Sequence, residues 1–160
     1  MPAYLAMARP RLRWRGRVII AMAIVLTTAA VALSTLGVRP HFTVVSGKDI
    51  VAVPRSELPA GALRFFAWRD DAGREIRFIL GSDDSGRVQG AFDACQQCSQ
   101  YRKGYTESRG YLVCRFCGNR YRLDSTAGFG SCAPVKLPVH DGGATVSVNT
   151  ADLASHGGLF

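Results

Sequence analysis

Cys95-Gln-Gln-Cys98-Ser-Gln-Tyr-Arg-Lys-Gly-Tyr-Thr-Glu-Ser-Arg-Gly-Tyr-Leu-Val-Cys114-Arg-Phe-Cys117-Gly118 decides how this chain is read. Two CxxC pairs with 15 residues between them form a strong metal-site pattern. Two cysteines three apart in a tight turn can aim both sulfurs at one ion. Two such turns facing each other make a closed tetrahedral tetrathiolate site. Gly118 after the second pair lets the turn close and its N–H groups approach sulfur. Tyr121 supplies an aromatic to pack against the site. A fifth cysteine, Cys132, follows Cys117 after 14 intervening residues. It is either a further soft ligand or a buried thiol able to form a transient disulfide.

Upstream of the first pair, apolar runs rich in β-formers alternate with turn residues. Asp49–Val53 reads as a short strand closed by Pro54. Ala62–Trp68 and Glu75–Leu80 read as two strands of a hairpin, joined by Arg69-Asp-Asp-Ala-Gly-Arg74. Gly81–Gly86 is a second turn, and Arg87–Phe92 is a strand that runs directly into Cys95. Phe65, Phe66, Trp68, Phe78 and Phe92 are expected in the core. Downstream, the 99–105 segment reads as a polar, basic loop and 110–113 as a strand into the second pair. The 135–137 and 144–148 runs are further strand candidates, and 152–160 is an apolar cap. The fold class is mainly β: a small antiparallel domain with a four-cysteine metal knuckle or ribbon module, preceded by one transmembrane helix.

That helix is expected over residues 18–38, an uncharged run of Ala, Val, Ile and Leu. As a helix it would be roughly 30 Å long, the thickness of a bilayer core. Arg9, Arg11, Arg13, Arg15 and Arg17 precede it, and no acid occurs before Asp49. The positive-inside rule then sets residues 1–17 as a cytoplasmic tail and everything beyond the helix on the outer side of the membrane. The competing reading is a signal peptide cleaved near Ala30-Val31-Ala32. Residues 39–48 read as a linker and 49–160 as the exported domain. The net charge of +8 does not indicate nucleic-acid binding, because five of the 20 Lys and Arg lie in the tail. Export favours disulfides, but five cysteines cannot all pair internally, and a bound metal protects thiolates from oxidation.

Ligation by four cysteines suits zinc, a single iron or an iron–sulfur cluster. Spacing alone ranks zinc first, since zinc ribbons share it. Two features favour a redox centre: the domain has a β core of its own, and Cys132 exceeds what a zinc ribbon needs. Between Asp93 and Arg122 the chain carries Arg102, Lys103, Arg109, Arg115, Arg120 and Arg122 against Asp93 and Glu107. Positive charge favours thiolate over thiol and offers a surface for an acidic partner. His41, His140 and His156 share no ligand spacing with the cysteines. Asp70, Asp71, Asp83 and Asp84 lack the alternate-oxygen pattern of a calcium loop. No Gly-x-Ser-x-Gly or His-Glu-x-x-His is present, so hydrolytic catalysis finds no support, and the chain is not read as an enzyme.

The ordered set Val88-Gln-Gly-Ala-Phe-Asp-Ala-Cys95-x-x-Cys98, Lys103-Gly-Tyr105, Val113-Cys-Arg-Phe-Cys-Gly118, Gly130-Ser-Cys-Ala-Pro134 and Leu137-Pro138 resembles the FtrD-like membrane iron–sulfur protein family of bacteria. Phe65-Phe66 and the C-terminal Val146-Ser-Val148, Asp152-Leu153 and Phe160 extend the resemblance to about 49–160. Ser131 stands where the family usually has a second Gly. The resemblance implies Cys95, Cys98, Cys114 and Cys117 as ligands of an iron–sulfur or related metal centre, with Cys132 as an accessory. It also implies a role beside a membrane permease in iron uptake, with electron transfer accompanying transport. Larger members carry several membrane helices. One helix here implies a separate partner, either a permease or a periplasmic electron-transfer or metal-binding protein, with lipid contacted only through 18–38. Two other functions fit the residues: a structural zinc-ribbon docking subunit, and a Cu(I) metallochaperone.

Overall fold

The structure is a computed structural model that describes Ile19, residues 40–123 and residues 133–160. The chain divides into two compact units, Met1–Val38 and Arg39–Phe160, and the strands described here all belong to the second. The basic tail, the body of the expected membrane helix and Cys132 lie outside the described residues. Among the described residues no helix is long and apolar enough to cross a membrane.

Within residues 40–123 and 133–160, eleven strands and one short helix follow in chain order: β1 Thr43–Val45, β2 Ile50–Pro54, β3 Leu63–Arg69, β4 Glu75–Ser82, β5 Val88–Cys95, β6 Tyr105–Ser108, β7 Tyr111–Cys114, β8 Arg120–Tyr121, β9 Pro134–Leu137, β10 His140–Asp141, β11 Thr145–Asn149 and α1 Thr150–Ser155. They form a five-stranded sheet, β1-β3-β4-β5-β9, and two three-stranded sheets, β10-β11-β2 and β6-β7-β8. The expected meander is its centre: β3 pairs antiparallel with β4, and β4 with β5.

Period-two alternation gives the central sheet two apolar faces. Phe66, Trp68, Ile76, Phe78, Leu80, Val88, Phe92 and Ala94 join Val51 and Val53 of β2, Val146 and Val148 of β11, and Leu153 of α1 in the main core. Phe65, Ile79 and Cys95 point the other way and pack with Cys98, Tyr105, Leu112, Cys114 and Tyr121 of the knuckle module. The sheet is therefore a middle layer, with the knuckles on one face and the β2–β11 ribbon on the other.

Several segments differ from their sequence reading, three of them near the site or the core. Residues 43–45, expected within a linker, form a strand that runs parallel to β3, Thr43 opposite Phe66 and Val45 opposite Trp68. Three residues are too few to show periodicity, and the pairing covers an edge that would otherwise be open. Tyr105 ends no loop; it begins β6. The C-terminal cap, read as 152–160, starts inside α1, whose first residue, Thr150, donates its hydroxyl to Lys48 O at 2.7 Å and Asp49 O at 3.0 Å. A partner about a hundred residues away gives no local signal.

Candidate metal centre

β5 carries the chain to Cys95. Its pairing with β9 shifts register between Ala91 and Cys95, the irregularity that re-aims side chains at sheet edges. A single 3-10 turn, Ser99–Tyr101, then reverses the chain, ending on Arg102 at φ 50°. β6 and β7 form a hairpin through Arg109 (φ 55°) and Gly110 (φ 76°), two left-handed residues in a row, as a tight two-residue hairpin turn demands. β7 delivers Cys114 to the second CxxC turn, where Gly118 at φ 74° donates to Cys114 O at 2.9 Å.

The two turns treat their first cysteine alike. Cys95 Sγ accepts from the backbone N–H groups of Cys98 and Gln97, and Cys114 Sγ from those of Cys117 and Phe116. Each first sulfur also interacts with the second thiol of its own pair. The Sγ atoms of Cys95, Cys98 and Cys114 all lie within 4.8 Å of one another, and all three residues are buried. Cys117 is exposed, and none of the four described cysteines is in a disulfide. The structure thus brings three of the five sequence-read cysteines into one group and links the fourth to it through Cys114. Cys132 lies outside the described residues, though its neighbour Ala133 packs on this cluster and accepts a hydrogen bond from Gln96 N at 3.0 Å.

Burial opposes ionisation of Cys95, but the N–H groups of Cys98 and Gln97, the Tyr105 hydroxyl and the Cys98 thiol outweigh it and hold the thiol below its ordinary value. Cys114 is pushed up, by burial first and also by the charge on Cys95. Charge at one sulfur resists charge at the next, and a cation at the centre would relieve that conflict.

Sequence reasoning missed the supporting residues. Tyr105 is fully buried and stands opposite Cys114 in the β6–β7 ladder. Its hydroxyl donates to Cys95 Sγ, and burial together with the neighbouring sulfur charge raises its own pKa. Its backbone N–H donates to Asp93 Oδ1 at 2.6 Å. Asp93 is itself buried, and burial pushes its pKa up to about 6 against the pull of the Tyr105 N–H, Arg77 and Arg115. Arg77 Nη1 lies 3.7 Å from Asp93 Oδ2, and its guanidinium sits over the rings of Phe42 at 5.6 Å and Phe160 at 5.4 Å. The available signal was a lone acid two residues before Cys95.

On the outer side, Tyr101 and Phe116 stack with ring centroids 3.7 Å apart and planes 8° apart. Tyr101 follows the first pair and Phe116 lies inside the second, so the stack ties the two turns together. The donor set is soft and largely buried, it carries N–H and O–H donors to sulfur, and its ionisation conflict calls for a cation. It fits a thiolate-bound metal.

Residues 58–160 match the family described as membrane iron-sulfur containing protein, FtrD-like. No curated protein and no solved structure matches the chain. The matched span begins in the turn before β3, includes both CxxC turns and runs to the last residue, and the chain accordingly belongs to the FtrD-like family of membrane iron–sulfur proteins.

Proposed function

We propose that this chain is a membrane-anchored metal–thiolate protein that moves electrons, or handles a transition metal, for an iron or copper uptake system. The observation that carries this reading is the buried sulfur group of Cys95, Cys98 and Cys114, with Cys117 at its exposed edge. A thiolate-bound iron supplies one-electron redox chemistry that needs no contact between the ion and a substrate. The protein's own part is binding, tuning and docking. The four cysteines give up their protons and bind. The Gln97, Cys98, Phe116 and Cys117 N–H groups and the Tyr105 hydroxyl stabilise negative sulfur. The exposed Tyr101–Phe116 stack offers a short apolar route out of the site. Arg102, Lys103 and Arg115, all exposed, guide an acidic partner: a permease or a periplasmic electron-transfer or metal-binding protein. Residues 18–38 hold the chain in the inner membrane, with the tail cytoplasmic and the β domain outside.

A second reading has its own support. Phe65, Ile79, Leu112 and Tyr121 pack around the cysteines, so a metal could serve as the staple of that small core, as structural zinc does. Anaerobic purification of the full chain in detergent separates the two. The redox reading expects a visible thiolate-to-metal band that bleaches on reduction and returns on oxidation. A colourless protein with no redox response leaves the zinc module standing and removes electron transfer.

A further inference from the structure

We propose that Cys95, Cys98, Cys114 and Cys117 hold one metal ion, not a cluster of two or four irons. The inference rests on the reading of this site as metal-binding and adds to it the number of ions. Three sulfurs from two different CxxC turns lie within 4.8 Å of one another. Around one ion, metal–sulfur bonds of about 2.3 Å at tetrahedral angles set sulfurs about 3.8 Å apart, a separation that lies inside the 4.8 Å within which the three sulfurs are found. A cluster demands a different spread. Its irons are separated by bridging sulfide, and cysteines on different irons point away from each other, which leaves their sulfurs roughly 6 Å apart.

The number of close sulfurs decides between these arrangements. In a two-iron cluster each iron takes two cysteines, so any three ligands include one on the far iron. In a four-iron cluster every ligand is on its own iron. Neither arrangement admits three mutually close sulfurs. The surrounding structure resists the expansion a cluster would need. Cys95 and Cys114 end two hydrogen-bonded strands, Tyr105 is paired with Cys114 in register, and all three residues are buried in one apolar group. The two turns also receive matching backbone donation, two N–H groups onto each first sulfur, and the first pair already has both of its sulfurs in the close group while the second has Cys114 there.

Binding forms four metal–sulfur bonds and releases the thiol protons to solvent, with no change of oxidation state. An iron bound in this way is still bonded only to sulfur, so the family's description holds without inorganic sulfide. Cys117, at the exposed edge, is the fourth ligand, and its thiol already interacts with Cys114.

The test is metal and acid-labile sulfide analysis of the full chain purified without oxygen in detergent, with X-ray absorption at the iron edge. The expected result is one metal per chain, sulfide near zero, and a single iron–sulfur shell with no iron–iron scattering. Two or four irons per chain with matching sulfide would overturn the single-ion assignment and leave the redox proposal intact. One zinc per chain would support the single-ion assignment while removing electron transfer. A protein that retains no metal, even when reduced and supplied with ferrous or zinc ions, would overturn both.

Discussion

Tyr105 joins three parts of the site. Its ring fills the space between the knuckles and the central sheet, its backbone N–H is held by Asp93, and its hydroxyl reaches Cys95 Sγ. A hydrogen bond to sulfur favours the more negative, reduced state of a bound metal. Tyr105→Phe keeps the ring and deletes the donor. A differential of about 1 kcal/mol between oxidation states corresponds to roughly 40 mV for a one-electron couple. The midpoint potential of the iron-loaded variant should therefore fall by roughly that amount, read by voltammetry, and an unchanged potential would remove Tyr105 from the tuning role. Gly104 is a second point of dependence. It sits at φ 66°, and a Cβ there would land against the Asp93 carboxylate. Gly104→Ala should cost about 1 to 3 kcal/mol in urea unfolding; a neutral result would mean that Asp93 yields easily. The cysteines were legible from sequence because their spacing alone encodes a turn. Tyr105 and Asp93 were not, because their bonds cross between β5 and β6, and one aromatic or one acid has no period to betray its partner.

The elements were legible where alternation and turn chemistry coincide. The β3–β4 and β4–β5 turns repeat one device, Asp-Asp-Ala-Gly-Arg at 70–74 and Asp-Asp-Ser-Gly-Arg at 83–87. Asp70 accepts from Arg74 N at 2.8 Å and Arg74 Nε at 2.7 Å; Asp83 accepts from Ser85 N at 2.9 Å, Arg87 N at 2.9 Å and Arg87 Nε at 3.1 Å. Gly73 and Gly86 close the turns at φ 76° and 86°. Each first aspartate thus serves its own turn, as the sequence suggested in reading these clusters as turns. The Arg74 N–H holds Asp70 below 3.8, and the Ser85 hydroxyl does so for Asp83, in both cases against partial burial and with the arginine assisting. A carboxylate whose folded pKa is lowered binds fewer protons folded than unfolded. Its stabilisation is complete above about pH 3.8 and drains away as pH falls through the lowered folded value. Asp70→Asn with Asp83→Asn should therefore be less stable at neutral pH and show a flatter acid limb in urea midpoints between about pH 5 and 2. A limb as steep as the parent's would assign acid sensitivity elsewhere. The short strands β1, β8 and β10 and helix α1 escaped the sequence reading for the opposite reason: two to six residues hold less than two periods, and long-range pairing decides them.

At the scale of the whole molecule, charge is sorted by place. Residues 94–106 and 110–122, the two segments that carry the CxxC turns, contain Arg102, Lys103, Arg115, Arg120 and Arg122 and no Asp or Glu. The same region exposes Tyr101 and Phe116 at 47% and 49%, and their stacked rings make one apolar spot on the surface. An apolar spot beside a predominantly basic surface suits brief, salt-sensitive docking: the charges raise the encounter rate and the rings make the contact. Arg115 is already positioned, its Nη1 donating to Lys103 O at 3.0 Å. The arrangement can be tested without the natural partner by using hexacyanoferrate(III) as an anionic oxidant of the reduced, iron-loaded chain. Arg102→Glu with Lys103→Glu should slow oxidation about tenfold at low ionic strength, and the difference should vanish near molar salt, where the screening length falls to about 3 Å. Arg64→Glu with Lys48→Glu makes the same change in net charge at exposed positions outside the two segments. If that pair slows the reaction equally, the net charge of the domain governs the encounter and the knuckle face has no special part in it. If only the first pair does, electrons leave through the face on which Tyr101 and Phe116 stack.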